Sequence, residues 1–180
     1  MRQLVRHVGA EATAERMIEA NPHPLEGGPL AGVVLLDLTQ MVSGPMGTQI
    51  IADQGADVIK IENTTTGAAE RGGARSTMTN PLMSVINRNK RSLALDLKSK
   101  AGHAVFLRLV QTADVVVQNF RPGVMDRMGI GYDALCEVNP SIILVSISGF
   151  GQTGPYSQKR VYDPVIQSVS GLASIQADEN

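Results

Sequence analysis

The chain has 180 residues, of which 43% are hydrophobic and 3% aromatic, and its formal net charge is -1. This length and apolar content are typical of one folded domain rather than a disordered segment. The near-neutral charge gives no general argument for nucleic acid or an anionic membrane, and no apolar run reaches membrane-spanning length. The N-terminus lacks the apolar core of a secretory signal. The single cysteine, Cys136, excludes an internal disulfide, and we expect a cytoplasmic protein.

The pattern of apolar residues divides the chain into an N-terminal extension, residues 1–28, and one domain, residues 29–180. Within the extension, residues 11–20 have the periodicity of a helix and are followed by a linker rich in Pro and Gly. In the domain, predicted strands cover residues 33–38, 57–62, 92–97, 114–117 and 142–148. Predicted helices cover residues 46–55, 101–113, 122–128, 132–138 and 164–175, and a long loop covers residues 63–91. Buried strands alternating with helices predict an α/β fold, a Rossmann-like parallel sheet with helices on both faces.

Three loops that follow predicted strands are expected to converge on one ligand: residues 39–47, 63–91 and 149–162. In open parallel sheets, ligands bind outside the carboxyl ends of the strands. The segment after the fourth strand, residues 119–123 (NFRPG), places an amide, an aromatic ring and a cation at this edge. These are groups that a ligand containing a nucleotide needs.

The loop of residues 63–91 is basic. It carries one acid, Glu70, against five cations: Arg71, Arg75, Arg88, Lys90 and Arg91. A solvated basic loop and a phosphate site are both compatible with this composition. We favour phosphate binding, because Arg side chains bind phosphates in a bidentate manner and residues 87–92 lead directly into a strand.

Several common kinds of site are not expected. Residues 149–156 are rich in Gly but do not form the dinucleotide-binding pattern, and no phosphate-binding Lys motif is present. The histidines, His7, His23 and His103, are scattered, so we expect no metal site. Asp37 and Asp96 lie near strand ends, where pairing with Lys or Arg is expected, and Asp163 is predicted to cap a helix.

Six segments occur in the order found in family III CoA-transferases, the CaiB/BaiF group, which includes formyl-CoA transferases and alpha-methylacyl-CoA racemases. They are residues 29–37, 43–45, 55–62, 87–92, 119–123 and 149–156. The resemblance spans about residues 29–175. It implies a CoA-binding domain from an interlocked homodimer that takes acyl-CoA and a carboxylic acid as substrates, with no permanently bound cofactor and no nucleic-acid or membrane partner.

The resemblance also implies roles for individual residues. The thiol end of CoA would contact Met41, Val42 and Ser43, and the thioester would be flanked by Arg160, Val161 and Tyr162. The adenine and pantetheine would be held by Asn119, Phe120, Arg127 and Met128. Many relatives carry a cation where this chain has Asn63, so one phosphate contact would come instead from Arg71 or Arg75.

The nucleophilic Asp of family transferases lies well downstream of the position of Tyr162. We therefore expect it, and a small second domain, beyond Asn180, so that this chain carries the CoA-binding part and no catalytic residue. The racemases place a His at the position of Tyr162, so the Tyr favours a transferase. The alternatives are a racemase-like enzyme and a catalytically inactive CoA-binding or assembly subunit that needs a second chain. An apolar stripe on the final predicted helix predicts self-association: Val165, Ile166, Val169 and Leu172.

Overall fold

A computed structural model describes residues 27–64 and 81–176 of the chain. The strands are β1 (Val34–Asp37), β2 (Asp57–Glu62), β3 (Lys90–Ala94), β4 (Val115–Gln118) and β5 (Ile143–Ser146). The helices are α1 (Ser43–Asp53), α2 (Pro81–Ile86), α3 (Lys100–Val110), α4 (Val124–Arg127), α5 (Tyr132–Val138), α6 (Asp163–Val169) and α7 (Leu172–Ile175).

The five strands form one parallel sheet in the order β3-β2-β1-β4-β5. The chain moves outward from β1 to β3 on one side and then returns to place β4 on the other side of β1. The register pairs Asp37 with Lys60 and Lys60 with Ser92 across the first three strands. The segments after β1 and β4 therefore leave the sheet side by side, at the point where the strand order reverses.

Alternating residues of the strands pack on opposite faces of the sheet, as the pleat of a strand requires. Leu36, Ile59 and Val116 lie in a core cluster with the buried side of α3, α4 and α5. Leu35, Val58 and Val117 lie in a second cluster with Ala52 of α1. Helices therefore cover both faces, and the predicted α/β fold with a parallel sheet is confirmed.

Most predicted elements are present with shifted ends, and three elements differ more substantially from the prediction. The predicted loop 63–91 contains α2 and the start of β3, which begins at Lys90 rather than residue 92 because it pairs with β2 from Val58 onward. The predicted final helix is interrupted at Gly171, which has a φ of 81°. The predicted helix at residues 122–128 is the single turn α4. The predicted helix at residues 11–20 lies outside the described residues.

Asp163 does not cap α6, contrary to the prediction from sequence. The capping position is occupied by Tyr162, whose side chain makes no capping hydrogen bond, and Asp163 is already within the first turn. Its carboxylate accepts a hydrogen bond from Gln167 Nε2, one turn later in the same helix. A negative charge in the first turn still interacts favourably with the helix dipole.

Candidate functional site

The segments after β1 and β4 contact each other at the reversal of the strand order. The backbone N–H of Gln40 donates to Oδ1 of Asn119, and Nδ2 of Asn119 donates to the carbonyl of Gln40, both at 2.8 Å. Asn119 is the first residue after β4. The carboxyl edge of the sheet, where open α/β folds bind their ligands, thus contains one of the residues predicted from sequence.

A pocket of about 510 Å³ lies at the same edge, between the segment that follows β3 and the end of α4. Its lining contains four basic or titratable nitrogen-bearing side chains and no acidic one. The lining residues are Leu97, Lys98, Ser99, Lys100, His103, Arg127 and Met128. This composition favours an anionic ligand with an apolar portion.

The pocket also includes the amino end of α3. Ser99 caps this helix, because its Oγ accepts a hydrogen bond from the Gly102 N–H at 3.0 Å. Gly102 has no room for a side chain, since a Cβ there would lie 2.0 Å from the Asp96 carbonyl oxygen. A helix of 11 residues with lysines on both sides of its capping residue combines the helix dipole with two positive charges.

Arg127 and Met128, both predicted from sequence to bind CoA, are brought together in this pocket. Arg127 is the last residue of α4, which begins after Gly123. Gly123 has a φ of 76°, and Nη1 of Arg127 lies 3.1 Å from the place where a Cβ would stand. The Gly of the NFRPG segment therefore allows both the turn and the packing of the Arg side chain across it.

Of the four basic or titratable side chains that line the pocket, sequence reasoning identified Arg127 and missed Lys98, Lys100 and His103. Lys98 and Lys100 flank a serine directly before a predicted helix, which is a recognisable anion-binding pattern. From the sequence, His103 was one of three scattered histidines expected to form no metal site. Its Nε2 lies 3.2 Å from the carbonyl oxygen of Gly129, so the ring connects α3 to the turn after α4.

The loop after β1 presents the three residues predicted for the thiol end of CoA. Met41, Val42 and Ser43 are all exposed. Met41 has a φ of 62°, a left-handed conformation that is uncommon for a residue with a long side chain. Gly44, which follows, would bring a Cβ within 2.4 Å of the Thr39 side chain. The loop is therefore tightly turned, with its side chains directed outward.

A buried charged network lies beneath this loop. Asp37, fully buried, accepts hydrogen bonds from the Thr39 N–H at 2.8 Å, from Thr48 Oγ1 at 2.7 Å and from Lys90 Nζ at 2.9 Å. Lys60 lies 3.5 Å from the same carboxylate and donates to the Thr39 carbonyl. The prediction that Asp37 pairs with lysine is confirmed.

Lys90 has further acceptors in this network, the Pro45 carbonyl at 2.8 Å and Asn87 Oδ1 at 3.1 Å. Burial alone would raise the pKa of Asp37, but the charges of Lys60 and Lys90 and the hydrogen bond from Thr39 hold that pKa below its ordinary value. Burial lowers the pKa of Lys90, against the opposing effect of Asp37. The network holds the loop and the start of α1 in place.

The predicted phosphate-binding cations of the 63–91 segment are not brought to the pocket. Arg88 pairs with Asp53 at the end of α1, and Arg91 pairs with Asp57 at the start of β2, at 2.7 Å. Both pairs lie toward the amino end of the sheet, and Lys90 is held in the buried network. A phosphate at Arg88 or Arg91 would compete with these carboxylates. Arg71 and Arg75 lie outside the described residues.

The remaining predicted residues lie on two sides of the carboxyl edge. Phe120 is half-buried and, like Met128, packs against the core cluster that includes Met125. Val161 packs against Gly149, just beyond β5, where a Cβ would lie 2.6 Å from its Cγ1. Arg160 and Tyr162 are exposed, Tyr162 at 72%. The segment 160–162 therefore returns to the carboxyl end of β5.

Within the described part of the chain, no group of three or more His, Cys, Asp and Glu side chains could hold a metal ion. Over the same residues, no helix has the length and apolar character needed to cross a membrane. Cys136 is partly buried and packs against the main core cluster.

Comparison with known proteins identifies the family of this chain. The sequence profile of CoA-transferase family III matches residues 30–180. The acetyl-CoA:oxalate CoA-transferase of Acetobacter aceti is 44% identical over 146 residues, which are 81% of this chain and 38% of that protein. The succinyl-CoA:glutarate CoA-transferase of Homo sapiens is 43% identical over 158 residues, which are 84% of this chain and 35% of that protein. The chain thus spans little more than a third of the length of these relatives.

Solved structures show the same fold. A crystal structure of Rv3272 from Mycobacterium tuberculosis matches with a TM-score of 0.75 and 34% identity, over 84% of this chain and 42% of that one. A CAIB/BAIF family protein from Brucella suis matches with a TM-score of 0.74 and 36% identity, over 80% of this chain and 39% of that one.

Proposed function

Because this chain belongs to CoA-transferase family III, we propose that it forms the CoA-binding part of an enzyme that transfers CoA from an acyl-CoA thioester to a carboxylic acid. The substrates are then CoA thioesters and carboxylates, and no permanently bound cofactor is needed. The Acetobacter aceti and Homo sapiens relatives named above are both CoA-transferases, which supports a transferase over a racemase. The acyl donor and the acceptor acid are left open.

The observation that carries this proposal is the basic pocket at the carboxyl edge of the sheet. We assign the nucleotide end of CoA to it, because Lys98, Lys100 and Arg127 supply cations for phosphate groups and Met128 supplies an apolar surface for the adenine. The loop after β1 lies between the segments after β3 and β4 in the strand order. One extended ligand in the pocket can therefore reach residues 41–43 with its thiol end.

The reaction we propose is covalent. An Asp carboxylate attacks the thioester carbon of the donor, the C–S bond breaks, CoA leaves as a thiolate, and the acyl group remains bound to the Asp as a mixed anhydride. The thiolate attacks the aspartyl carbonyl and releases the donor acid, and the acceptor carboxylate then displaces the thiolate to form a second anhydride. A final attack by the thiolate on the acceptor carbonyl yields the new thioester and restores the Asp.

The thiolate is released and reused twice in this sequence, so the CoA-binding part must retain CoA between steps. Binding at the nucleotide end provides this retention, because it keeps the thiol at high effective concentration near the reacting carbonyl. We place the nucleophilic Asp outside residues 1–180. Backbone N–H groups of the Gly-rich segment 149–154 are the proposed donors to each oxyanion.

Titration calorimetry with CoA and with adenosine 3′,5′-bisphosphate, the nucleotide end alone, tests this assignment. We expect the chain to bind both ligands, and we expect Arg127→Ala and Lys100→Ala each to weaken both by about tenfold, since each removes a charge-assisted contact to phosphate. Arg108→Gln is the control, because it removes a cation from the far end of the same helix, α3.

If wild type, Arg127→Ala and Lys100→Ala bind the two ligands with equal affinity, the pocket is not part of the CoA site. The same titration of Arg88→Ala and Arg91→Ala tests the sequence-based prediction for these residues. A loss of affinity there, on variants with unchanged melting temperatures, would extend the phosphate site to the amino side of β3.

A further inference from the structure

The side chain of Asn119 is hydrogen-bonded to the protein backbone. Its amide oxygen and nitrogen each make one 2.8 Å hydrogen bond to the main chain of Gln40. Two such bonds reproduce the pairing that a neighbouring strand would provide, beyond the point where β1 and β4 cease to be paired. The amide thus connects the segments after β1 and β4 beyond the last paired residues.

Asn119 is itself held rigidly by the residues on both sides of it. Gln118 is buried, its Nε2 donates to Ser146 Oγ at 2.8 Å, and its Oε1 accepts from the Phe120 N–H at 2.6 Å. Phe120 packs against the core cluster. The position of Asn119 is therefore determined by β4, β5 and the core, and it transmits that position to Gln40.

The residue after Gln40 needs such support. Met41 has a φ of 62° while its side chain is 60% exposed, so little packing compensates for an unfavourable backbone conformation. The anchored residues on either side are Thr39, which is bonded to Asp37, and Pro45, whose carbonyl accepts from Lys90. Only residues 41–43, the proposed contact for the thiol end, extend outward from this anchored frame.

We propose that Asn119 is a positioning residue: it fixes Gln40 so that residues 41–43 are presented to the thiol end of CoA, and its side chain is not the ligand contact that the sequence suggested. This inference rests on the proposed function. It differs from a direct contact to adenine or pantetheine in two measurable ways, namely which part of CoA loses affinity and whether the loss depends on the loop.

The test compares two ligands on the full chain by titration calorimetry. Asn119→Ala removes both bonds to Gln40, and Asn119→Asp keeps the shape and the acceptor but replaces the donor with an oxygen that faces the Gln40 carbonyl. We expect each variant to weaken CoA binding by about 5- to 30-fold and to leave the affinity for adenosine 3′,5′-bisphosphate within about twofold of wild type.

A matched control is available in Asn139→Ala. Asn139 also bonds the main chain with both of its polar atoms, donating to the Val110 and Ala113 carbonyls and accepting from the Ser141 N–H. It lies before β5, at the opposite end of the sheet. Asn139→Ala removes a similar set of hydrogen bonds, so we expect it to lower the melting temperature and to leave the affinity for both ligands unchanged.

A double variant tests whether Asn119 positions residues 41–43 or contacts CoA directly. If Asn119 acts through residues 41–43, the double variant Asn119→Ala, Val42→Ala should lose little more CoA affinity than Asn119→Ala alone, because the Val42 contact is already displaced. Additive losses would show independent contacts and would overturn the proposal.

Equal weakening of CoA and the bisphosphate in Asn119→Ala, or no weakening of either ligand, would also overturn it. A wild-type chain that binds neither ligand overturns the proposed function and this inference with it. If the wild-type chain binds both ligands, the proposed function stands, and the Asn119 variants then test this inference by itself.

Discussion

At the scale of single residues, the backbone conformation decides which side chains can form the site. Gly123 and Met41 both have a positive φ, at 76° and 62°. The Gly adopts this conformation without steric cost and leaves space for the guanidinium of Arg127, whereas Met41 depends on its neighbours. A motif such as NFRPG therefore specifies a turn geometry as well as a set of chemical groups.

Replacing Gly123 by Ala tests this role. We expect Gly123→Ala to lose about 1–2 kcal/mol of stability from the left-handed conformation and to weaken CoA binding, because the new methyl group displaces Arg127 Nη1. Gly32→Ala is the matched control, since Gly32 has a φ of 91° and open space around it. Urea unfolding and CoA titration measure the two effects. Equal CoA affinity in Gly123→Ala and wild type would show that the Arg127 position does not matter.

At the scale of elements, the Asp37 network connects β1, β2, β3 and α1. Residues far apart in sequence supply its charges, and only the parallel register of β1, β2 and β3 brings them together. Two lysines share one carboxylate without solvent, so the network is stable only while Asp37 is ionised. Removing one partner from a buried ion pair is far more destabilising than losing an exposed pair.

The pH dependence of stability follows from the pKa of Asp37. Its folded-state pKa lies below the ordinary value of 3.8, so its contribution is present above that value and is lost as the pH falls through the lower folded-state pKa. The pKa of Lys90 is lowered by burial, so its contribution has the opposite pH dependence: stability increases as the pH rises from the folded-state pKa of Lys90 toward its ordinary value of 10.5. We expect the free energy of unfolding of the wild type to fall between pH 6 and pH 3.

Substitutions in the network test whether Asp37 causes this loss of stability at acidic pH. Asp37→Asn is expected to lose about 3–5 kcal/mol at pH 6, because it removes the buried carboxylate that pairs with Lys90, and to show a smaller change between pH 6 and pH 3. Lys90→Met should also reduce that change, since it removes one cation that lowers the Asp37 pKa. Thr48→Val, which leaves the charges in place, should retain most of it. Urea titrations that give the same pH dependence for wild type and Lys90→Met would contradict the assignment.

At the scale of the whole molecule, the C-terminal helices leave apolar surface exposed. Tyr162, Val165, Val169, Leu172 and Ile175 are all exposed, Val169 at 62%. Ile166, the remaining member of the predicted stripe, is half-buried and reaches within 3.1 Å of the Cβ position at Gly149. Exposed apolar groups of this size and number are typical of surfaces that associate.

We expect the 180-residue chain to self-associate through this surface, as the resemblance to a homodimeric family also implies. Light scattering after gel filtration should give a mass above that of one chain, and Val169→Glu with Ile175→Glu should lower it. Val85→Glu, at an exposed position on α2, is the control and should not change the mass. A monodisperse wild-type monomer would contradict this expectation.

The sequence by itself determined the fold class and the family, because apolar periodicity and short motifs are local properties. Helix α5 was predicted with its observed ends, and the parallel sheet was predicted from the alternation of elements. The tertiary structure alone decided which of the basic side chains pair with carboxylates and which line the pocket. Arg88, Lys90 and Arg91 form a basic cluster in sequence, but strand pairing places carboxylates of α1, β1 and β2 beside them. Lys98, Lys100 and His103 join Arg127 only because α3 crosses the sheet between β3 and β4.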